Sequence, residues 1–476
     1  MLSTEKLLAS LKAHYLKILV YSLVFGFFIF TAYRFLSYSL VADDWSLLAD
    51  RSSVWAGAPH IGETWFRPMG VLAFYYSNLL IGNQIYWHYY LDIVLLLIIG
   101  FLLYCILNLF VRNRLLSSII IMVFLVNPYA AYTYSWISQR YELLYIMFYL
   151  ASYYLFLLFL FLKWKSTVPL ILSLVCFSLS LLSKETAISL PFVVLLTVLI
   201  YSNSNKLINF RLDKRQILYV LPYLVILIGH MFIRTQFVGN AFGPRTIHEI
   251  SYSAPILVQM AAVFYHYSQV VLFSFMPLTM FFSIGAFIGW TLLITVNVVL
   301  FFQLRSRESG WDQKKNILFL LLFVLIVSVP LSKRPEARLL LMSSIPLSIL
   351  MGYNIYGLIE KCRAKSSALR SLVLIILIVP LMFYSVNVQN LYHPGSRLVI
   401  EVNIVRYNTA SSNEVKERMN EVYFERYPEY FSVDDDKISY HNPKYNNRYS
   451  QNLFIGDFVK HFLKKRGLWE KYNLNK

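Results

Sequence analysis

Long apolar segments separated by short polar connections constrain this chain more than any other feature. Hydrophobic residues make up 58% of its 476 residues and charged residues only 14%, which excludes an ordinary soluble domain. A helix needs roughly 17–25 apolar residues to cross a bilayer. Such segments lie at 17–40, 88–111, 115–131, 141–162, 166–183, 186–202, 216–233, 283–303, 316–332, 339–358 and 371–390. The sequence therefore predicts an all-α polytopic membrane protein, a bundle of about 11 transmembrane helices.

The polar connections alternate in charge. Every second one is basic, namely those with Lys6, Lys12 and Lys17, Arg112 and Arg114, Lys163 and Lys165, and the basic groups at 206–215, 305–315 and 361–370. Because basic loops stay in the cytoplasm, the alternation predicts a cytoplasmic N-terminus and, with an odd number of spans, an outer C-terminus. The first span is too long for a cleaved signal peptide and is predicted to be a retained anchor. The net charge of +18 is accounted for by these loops and by anionic membrane lipid, so no nucleic-acid partner is predicted.

Two further apolar stretches, 68–81 and 254–279, do not fit the count as single crossings, because counting either one alone would place basic loops outside. We predict that they are outer juxtamembrane helices that lie in the interface or dip into the membrane. The alternative is that both cross. The chain thus divides into a transmembrane module at 1–390 and a small outer region at 391–476. In that region, helices are predicted at 411–425 and 453–465, and an acidic turn at 434–436.

Asp43 and Asp44 follow the first span directly and are the candidate catalytic residues. Acids at a membrane boundary are costly, and a carboxylate there could take a proton from an incoming hydroxyl as a general base. The alternative is a helix N-cap before Ser46. Two adjacent carboxylates could also hold a divalent cation, but no third acid has suitable spacing, so no metal site and no required cofactor are predicted.

Charged residues recur at the predicted outer ends of the spans. Arg140, Lys184 and Arg338 are candidate phosphate ligands, and the alternative for the first two is neutralisation by Glu142 and Glu185. Arg67 could hold a phosphate or serve as an interface anchor. His88 and Asp92 stand one helical turn apart, which favours a structural pair over a catalytic one. The candidate substrate-binding residues are therefore Arg67, His88, Arg140, Lys184, Glu185 and Arg338.

The order and sidedness of these motifs resemble a known family. The basic N-terminus and first span are followed by Asp43-Asp44-Trp45, Arg67-Pro68, Tyr86-Trp87-His88, Ser138-Gln139-Arg140-Tyr141-Glu142, Leu182-Ser183-Lys184-Glu185-Thr186 and Glu336-Ala337-Arg338. This pattern resembles the GT-C-type integral membrane glycosyltransferases. It is similar to protein O-mannosyltransferases, to transmembrane and tetratricopeptide-repeat mannosyltransferases and to bacterial O-antigen glucosyltransferases. The resemblance covers about residues 1–390. The sequence lacks the tetratricopeptide and MIR-like domains of the eukaryotic members.

The resemblance implies a membrane glycosyltransferase in the bacterial inner membrane. Its donor would be a polyprenyl-phosphate hexose, and its acceptor a hydroxyl of O-antigen, lipopolysaccharide or another cell-surface glycan on the periplasmic face. By position, Asp43 would activate the acceptor with Asp44 beside it, and the anomeric configuration would invert. A flippase or other transporter of lipid-linked oligosaccharide and an O-antigen polymerase remain the alternatives, although a transporter should carry ionisable residues near mid-membrane.

Overall fold

A computed structural model describes residues 4–36, 38, 66–82, 84–110, 113–161, 167–201, 218–239, 311–328, 341–362, 366–390, 431–434 and 437–440. Almost all of these residues are helical. The helices are α1 (Thr4–Phe35), α2 (Pro68–Ile81), α3 (Ile85–Phe110), α4 (Arg114–Leu125), α5 (Pro128–Tyr134), α6 (Arg140–Phe161), α7 (Val168–Ser183), α8 (Leu190–Tyr201), α9 (Leu221–Val238), α10 (Trp311–Ser328), α11 (Leu341–Lys361) and α12 (Ser367–Asn390). Short 3₁₀ turns at Ile137–Gln139 and Glu185–Ser189 lead into α6 and α8.

The helices coincide with the apolar segments of the sequence. Within the described ranges, five helices are long and apolar enough to cross a membrane, or six if α4 and α5 form one bent span. The membrane class and the helical fold are therefore confirmed, whereas the count of about 11 spans is not. The helices α2, α7 and α8, together with the apolar parts of α10 and α12, are shorter than a full crossing. The predicted segments at 254–279 and 283–303 lie outside the described residues.

The apolar stretch at 68–81 forms α2, a helix of 14 residues. Pro68 occupies its first turn, where a missing N–H costs no intrahelical bond. Gly82 ends it with φ 66°, a backbone conformation that favours glycine. At 1.5 Å per residue, α2 spans about 21 Å, well short of the roughly 30 Å of hydrocarbon. This length agrees with the prediction of a helix that does not fully cross.

The segment predicted as one span at 115–131 is broken, which corrects the sequence prediction. It forms α4 and α5, bent by 53° at Val126 and Asn127. Pro128 cannot donate to the α4 ladder, and the buried Asn127 side chain instead accepts a hydrogen bond of 2.6 Å from the Tyr129 amide. The Val126 carbonyl accepts one from the Ser385 hydroxyl of α12. These contacts satisfy polar backbone groups that a break at membrane depth would otherwise expose.

The buried core runs through α3, α4, α6 and α11. Helix α6 packs between α3 and α7, while α4 contacts α1, α3 and α11. Helix α10 packs on α11 and α8, and α12 packs on α5. Gly352 of α11 lies so close to α4 that an added Cβ would sit 2.4 Å from Ile120 Cγ1. This close approach explains why a residue without a side chain occupies that position.

Several helix ends contact one another at one end of the bundle. The charge alternation assigns these ends to the cytoplasmic side. The Tyr15 hydroxyl of α1 lies 3.4 Å from the Ser367 carbonyl at the start of α12, and Arg370 stacks on the Tyr15 ring. Asn113, the N-cap of α4, donates a 2.7 Å hydrogen bond to the hydroxyl of Tyr356 near the end of α11. The grouping of these ends fits the predicted alternation. Which membrane side they face stays a prediction.

The opposite ends of the same helices also meet. Arg34, in the last turn of α1, donates to Gln389 Oε1 at 3.0 Å near the end of α12. The side-chain amide nitrogen of Gln389 in turn donates to the Tyr134 hydroxyl at 2.7 Å, and the backbone carbonyl of Gln389 accepts from the Tyr38 hydroxyl at 2.8 Å. This network ties α1, α5 and α12 together, and Tyr38 lies five residues before Asp43 in the chain.

The tail contains a short antiparallel hairpin that sequence reasoning did not predict. Strand β1 (Phe431–Asp434) pairs with β2 (Lys437–Tyr440), and Asp434 is opposite Lys437. The acidic turn predicted at 434–436 falls at this hairpin. The helices predicted at 411–425 and 453–465 lie outside the described residues, and the domain boundary at 390 stays a prediction.

Candidate functional site

Five of the predicted site residues are described, and they lie at the ends of helices on one side of the bundle. They are Arg67, His88, Arg140, Lys184 and Glu185. The predicted catalytic pair Asp43 and Asp44, and the predicted phosphate ligand Arg338, lie outside the described residues. The geometry therefore concerns the surroundings of the predicted site and not its acid pair.

Arg67 and Glu185 form a two-pronged ion pair. Arg67 immediately precedes α2, and its Nε and Nη2 donate to Glu185 Oε2 and Oε1 at 3.0 and 2.6 Å. Glu185 opens the 3₁₀ turn after α7, and its Oε2 also lies 3.9 Å from Nη1 of the buried Arg234 in α9. One carboxylate thus receives two guanidinium groups from different parts of the chain.

The surroundings shift the ionisation of this pair in a consistent direction. Burial alone would raise the pKa of Glu185, but the guanidinium of Arg67 holds it well below its usual range, with a further contribution from Arg234. Burial would lower the pKa of Arg67, and the Glu185 carboxylate reverses this effect and raises it. Glu185 is therefore a carboxylate at neutral pH and cannot serve there as a proton donor.

Lys184 and Glu142 form the neighbouring ion pair. Lys184 ends α7 in an extended conformation, with φ −160° and ψ 140°, and its side chain reaches the carboxylate of Glu142 in the first turn of α6. Both residues are buried. Burial lowers the pKa of Lys184, and the Glu142 carboxylate only partly offsets that effect. The Lys184 ammonium also lies 5.9 Å from the ring centre of Tyr145.

We call the set Arg67, Glu142, Lys184, Glu185 and Arg234 the charged cluster. It contains three cations and two carboxylates, so it has a net charge of +1 when all five are ionised. Sequence reasoning did not select Arg234 as a site residue. A signal was present, because an arginine near the end of an otherwise apolar helix is costly unless it has a partner or a function.

Arg140 belongs to a different contact set. Its Nε donates to Asp92 Oδ1 at 2.6 Å, its Nη1 to Ser77 Oγ at 2.8 Å and its Nη2 to the His88 carbonyl at 3.0 Å. Arg140 is 1% exposed and Asp92 is fully buried. The sequence spacing paired Asp92 with His88, whereas the structure gives Asp92 a 2.6 Å ion pair with Arg140. The His88 ring lies 3.3 Å from the Gly82 carbonyl through Nε2.

These contacts favour the structural interpretation of Arg140 over its prediction as a phosphate ligand. All three nitrogens of its guanidinium are used, and the partners join α2, α3 and α6. A phosphate ligand needs donors that face a cavity, and a side chain that is 1% exposed with every nitrogen already bonded is poorly placed to supply them. Lys184 is likewise paired with an acid, as the alternative interpretation of the sequence proposed. The carboxylate that it contacts belongs to Glu142 and not to the adjacent Glu185.

Aromatic rings separate the two contact sets. The Arg67 guanidinium lies 5.4 Å from the Tyr141 ring centre, and that of Arg140 lies 4.9 Å from the Phe74 ring centre. Phe74 and Tyr141 meet edge to face at 5.0 Å. Tyr141 also lies directly against α2, where a Cβ on Gly70 would be 2.0 Å from Tyr141 Cδ1. The position of α2 relative to α6, and with it that of Arg67, therefore depends on a glycine.

A second aromatic group borders Arg234. Phe66, the residue before Arg67, stacks on Phe237 at 5.4 Å and lies 5.7 Å from the His230 ring. Because His230, Arg234 and Phe237 share α9, these contacts hold the entry to α2 against that helix. The charged cluster thus has an apolar border on the α9 side.

The comparisons with known proteins add no assignment: no protein family, curated protein or solved structure matches this chain. Within the described ranges, no three His, Cys, Asp or Glu side chains are grouped so that they could hold a metal ion. Asp43 and Asp44 are outside those ranges, so this finding does not concern them.

Proposed function

We propose that this chain is a membrane glycosyltransferase that moves a hexose from a polyprenyl-phosphate donor to an acceptor hydroxyl of a cell-surface glycan, O-antigen among them. The observation that carries the proposal is the charged cluster, which brings two arginines and a lysine together at helix ends that the charge alternation predicts to be outer. Its excess positive charge suits a phosphate, and its place at the end of a helical bundle suits a donor whose isoprenoid stays in lipid.

Within the cluster, Arg67 is the proposed phosphate ligand, and the buried Arg234 and Lys184 support it electrostatically. Glu185 orients the two guanidinium groups, and it stays ionised because its pKa is lowered. The phosphate and the Glu185 carboxylate would share the Arg67 guanidinium, whose positive charge attracts both. Arg140 is a positioning residue in this scheme, since it holds α2, which carries Arg67 at its start.

The proposed reaction is a displacement at the anomeric carbon. Asp43 accepts the proton of the acceptor hydroxyl, and the acceptor oxygen forms a bond to the anomeric carbon from the face opposite the phosphate. The bond from that carbon to the phosphate oxygen breaks, and the polyprenyl phosphate leaves with the electron pair. Positive charge near the phosphate stabilises the leaving group as its negative charge develops.

The placement of most of these ionisable residues favours this reading over a transporter, and the exception is His230, which lies halfway along α9. Asp92 is seven residues into α3, or about 10 Å along the helix axis, and Arg234 is four residues from the end of α9. Glu142 and Lys184 are nearer still to helix ends. A proton or ion path through the described helices would instead need such groups near mid-span.

The direct test is a gain of function in a host with a defined surface glycan. Expression of the chain should add one hexose mass to that glycan in mass spectra. Asp43→Asn should lower the addition by about 10²–10⁴-fold while the protein level in the membrane is unchanged, because an amide cannot accept the proton. Asp50→Asn, in the same predicted loop, is the matched control and should leave the addition intact. Unchanged transfer by the Asp43→Asn, Asp44→Asn double variant would refute the mechanism.

A second test separates donor binding from chemistry. Arg67→Lys keeps the charge but loses the two-pronged geometry, so the donor KM should rise by about 10–150-fold, as expected for one charge-assisted hydrogen bond of roughly 1.5–3 kcal/mol. The acceptor KM should change little. Arg370→Lys, at the opposite end of the bundle, is the control. If both variants shift the donor KM equally, Arg67 has no specific role in donor binding.

A further inference from the structure

An apolar cavity lies among four helices, far from the charged cluster. It is partly open, has a volume of about 80 Å³, and is lined only by apolar and aromatic side chains of α3, α6, α10 and α11. On α3 the lining residues are Leu103, Ile106, Leu107 and Phe110, which share one helical face. About 10–15 Å³ of such volume holds one water, and a methylene group is of similar size. The cavity therefore has room for about five to eight methylene groups.

The position of the cavity separates it from the proposed donor site. Leu103 is eleven residues beyond Asp92 on α3, which is about 16 Å along the helix axis, and Phe110 lies about 10 Å further. On α6, Tyr153 is likewise eleven residues beyond Glu142. The cavity therefore belongs to the half of the bundle that ends at the predicted cytoplasmic connections.

The lining excludes water and favours hydrocarbon. Tyr153 turns its hydroxyl to Thr197 of α8, at 2.9 Å, and so presents its ring to the cavity. Three of the four helices contain candidate membrane spans, and the fourth, α10, is apolar where it lines the cavity. Cavities of this kind stay dry and take up apolar molecules. In a bilayer, the apolar groups at hand are the chains of lipids.

Basic residues border the same end of the bundle. Arg114, the first residue of α4, is exposed and follows Phe110 by four positions. Lys314 and Lys315 lie in the first turns of α10, ahead of the lining residue Phe319. Lysines and arginines at the membrane surface attract anionic head groups. An apolar cavity lined by Phe110 and Phe319, each four positions along the chain from one of these basic residues, is suited to an anionic phospholipid.

We infer that the cavity binds one hydrocarbon chain of an anionic membrane phospholipid, with the phosphate of that lipid at the basic ends of α4 and α10. The inference is independent of glycosyl transfer, because it concerns the other half of the bundle. The bound chain supplies the van der Waals contacts that the cavity walls of α10 and α11 otherwise lack.

The test uses the full-length protein in bilayer discs that contain phosphatidylglycerol and phosphatidylcholine in equal amounts, with identical acyl chains. A photoreactive diazirine in the acyl chain of the phosphatidylglycerol should label peptides from 103–110, 319–323 and 345–353. Labelling should exceed that of the exposed α9 surface around Ile228 by about tenfold or more. Equal labelling of both regions would overturn the inference, as would cross-linking of the cavity peptides to residues 283–303 or to a second copy of the chain.

Variants provide the second measurement. Ile349→Trp fills the cavity from α11 and should lower the labelling by about tenfold, whereas Ile228→Trp, on an exposed surface, should not change it. Arg114→Gln should lower the labelling by the phosphatidylglycerol probe and raise the labelling by a phosphatidylcholine probe with the same diazirine. Full labelling of folded Ile349→Trp would contradict the inference. If that variant does not fold, labelling of the natural sequence decides alone.

Discussion

The buried pair of Asp92 and Arg140 offers the strictest test of the fold. Asp92→Asn removes the negative charge but keeps the shape of the side chain. It leaves a guanidinium that is 1% exposed without a counter-charge, because the Asn amide, the Ser77 hydroxyl and the His88 carbonyl are all neutral partners. Loss of one partner of a buried pair costs about 3–5 kcal/mol of the free energy of unfolding. The Asp92→Leu, Arg140→Met double variant removes both charges and should be neutral or more stable by about 1–4 kcal/mol.

The measurement is the unfolding temperature of the purified protein in detergent. Cys105 in α3 and Cys176 in α7 are free thiols, so a thiol-reactive dye reports the opening of these helices. Because the entropy of unfolding grows with chain length, the Asp92→Asn variant should melt only about 3–5 °C below the natural protein. The double variant should melt at or above it. A double variant as unstable as the single one would refute the structural role assigned to the pair.

Activity distinguishes that role further. If Arg140 only positions α2, the stable double variant should retain transfer activity wherever α2 stays in place. A stable double variant without activity would return Arg140 to the phosphate ligands that its sequence position predicted. The two readouts, stability and transfer, thus separate the structural and the ligand hypotheses for one residue.

Three other predictions follow from particular contacts. Gly70→Ala should lower the unfolding temperature, because its Cβ would overlap the Tyr141 ring, and Gly26→Ala, which has open space, should not. The folded-state pKa of Glu185 is lowered, so its stabilising contribution is complete above the unfolded value of about 4.3 and is lost as pH falls through the lower folded value. The difference in unfolding temperature between the natural protein and Glu185→Gln should therefore be constant from about pH 6 to 8 and shrink only in stronger acid. Reporter fusions after Lys365 and at Lys476 should read cytoplasmic and periplasmic, respectively, and opposite readings at both would contradict the predicted topology.

The sequence predicted helix positions well because apolar length alone determines where a membrane helix can lie. The apolar run at 88–111 became α3, and the short run at 68–81 became a helix too short to cross. The break between α4 and α5 was missed, since an Asn-Pro pair inside an apolar run is compatible with a kinked but continuous span. The Ser385 hydroxyl that meets the freed Val126 carbonyl comes from 259 residues away, and no local pattern reveals it.

Partner choice within the site could not be predicted in the same way, because it depends on which helices are neighbours. Sequence reasoning considered Glu142 as the residue that neutralises Arg140, and Glu142 follows Arg140 by two positions in the chain. Residues two apart point roughly 200° away from each other around a helix with 3.6 residues per turn, so they do not meet. Since α6 packs between α3 and α7, Arg140 turns to Asp92 on α3 while Glu142 turns to Lys184 at the end of α7. One helix therefore keeps a neutral structural pair apart from a cluster with surplus positive charge, and for this reason each can be altered without direct loss of the other.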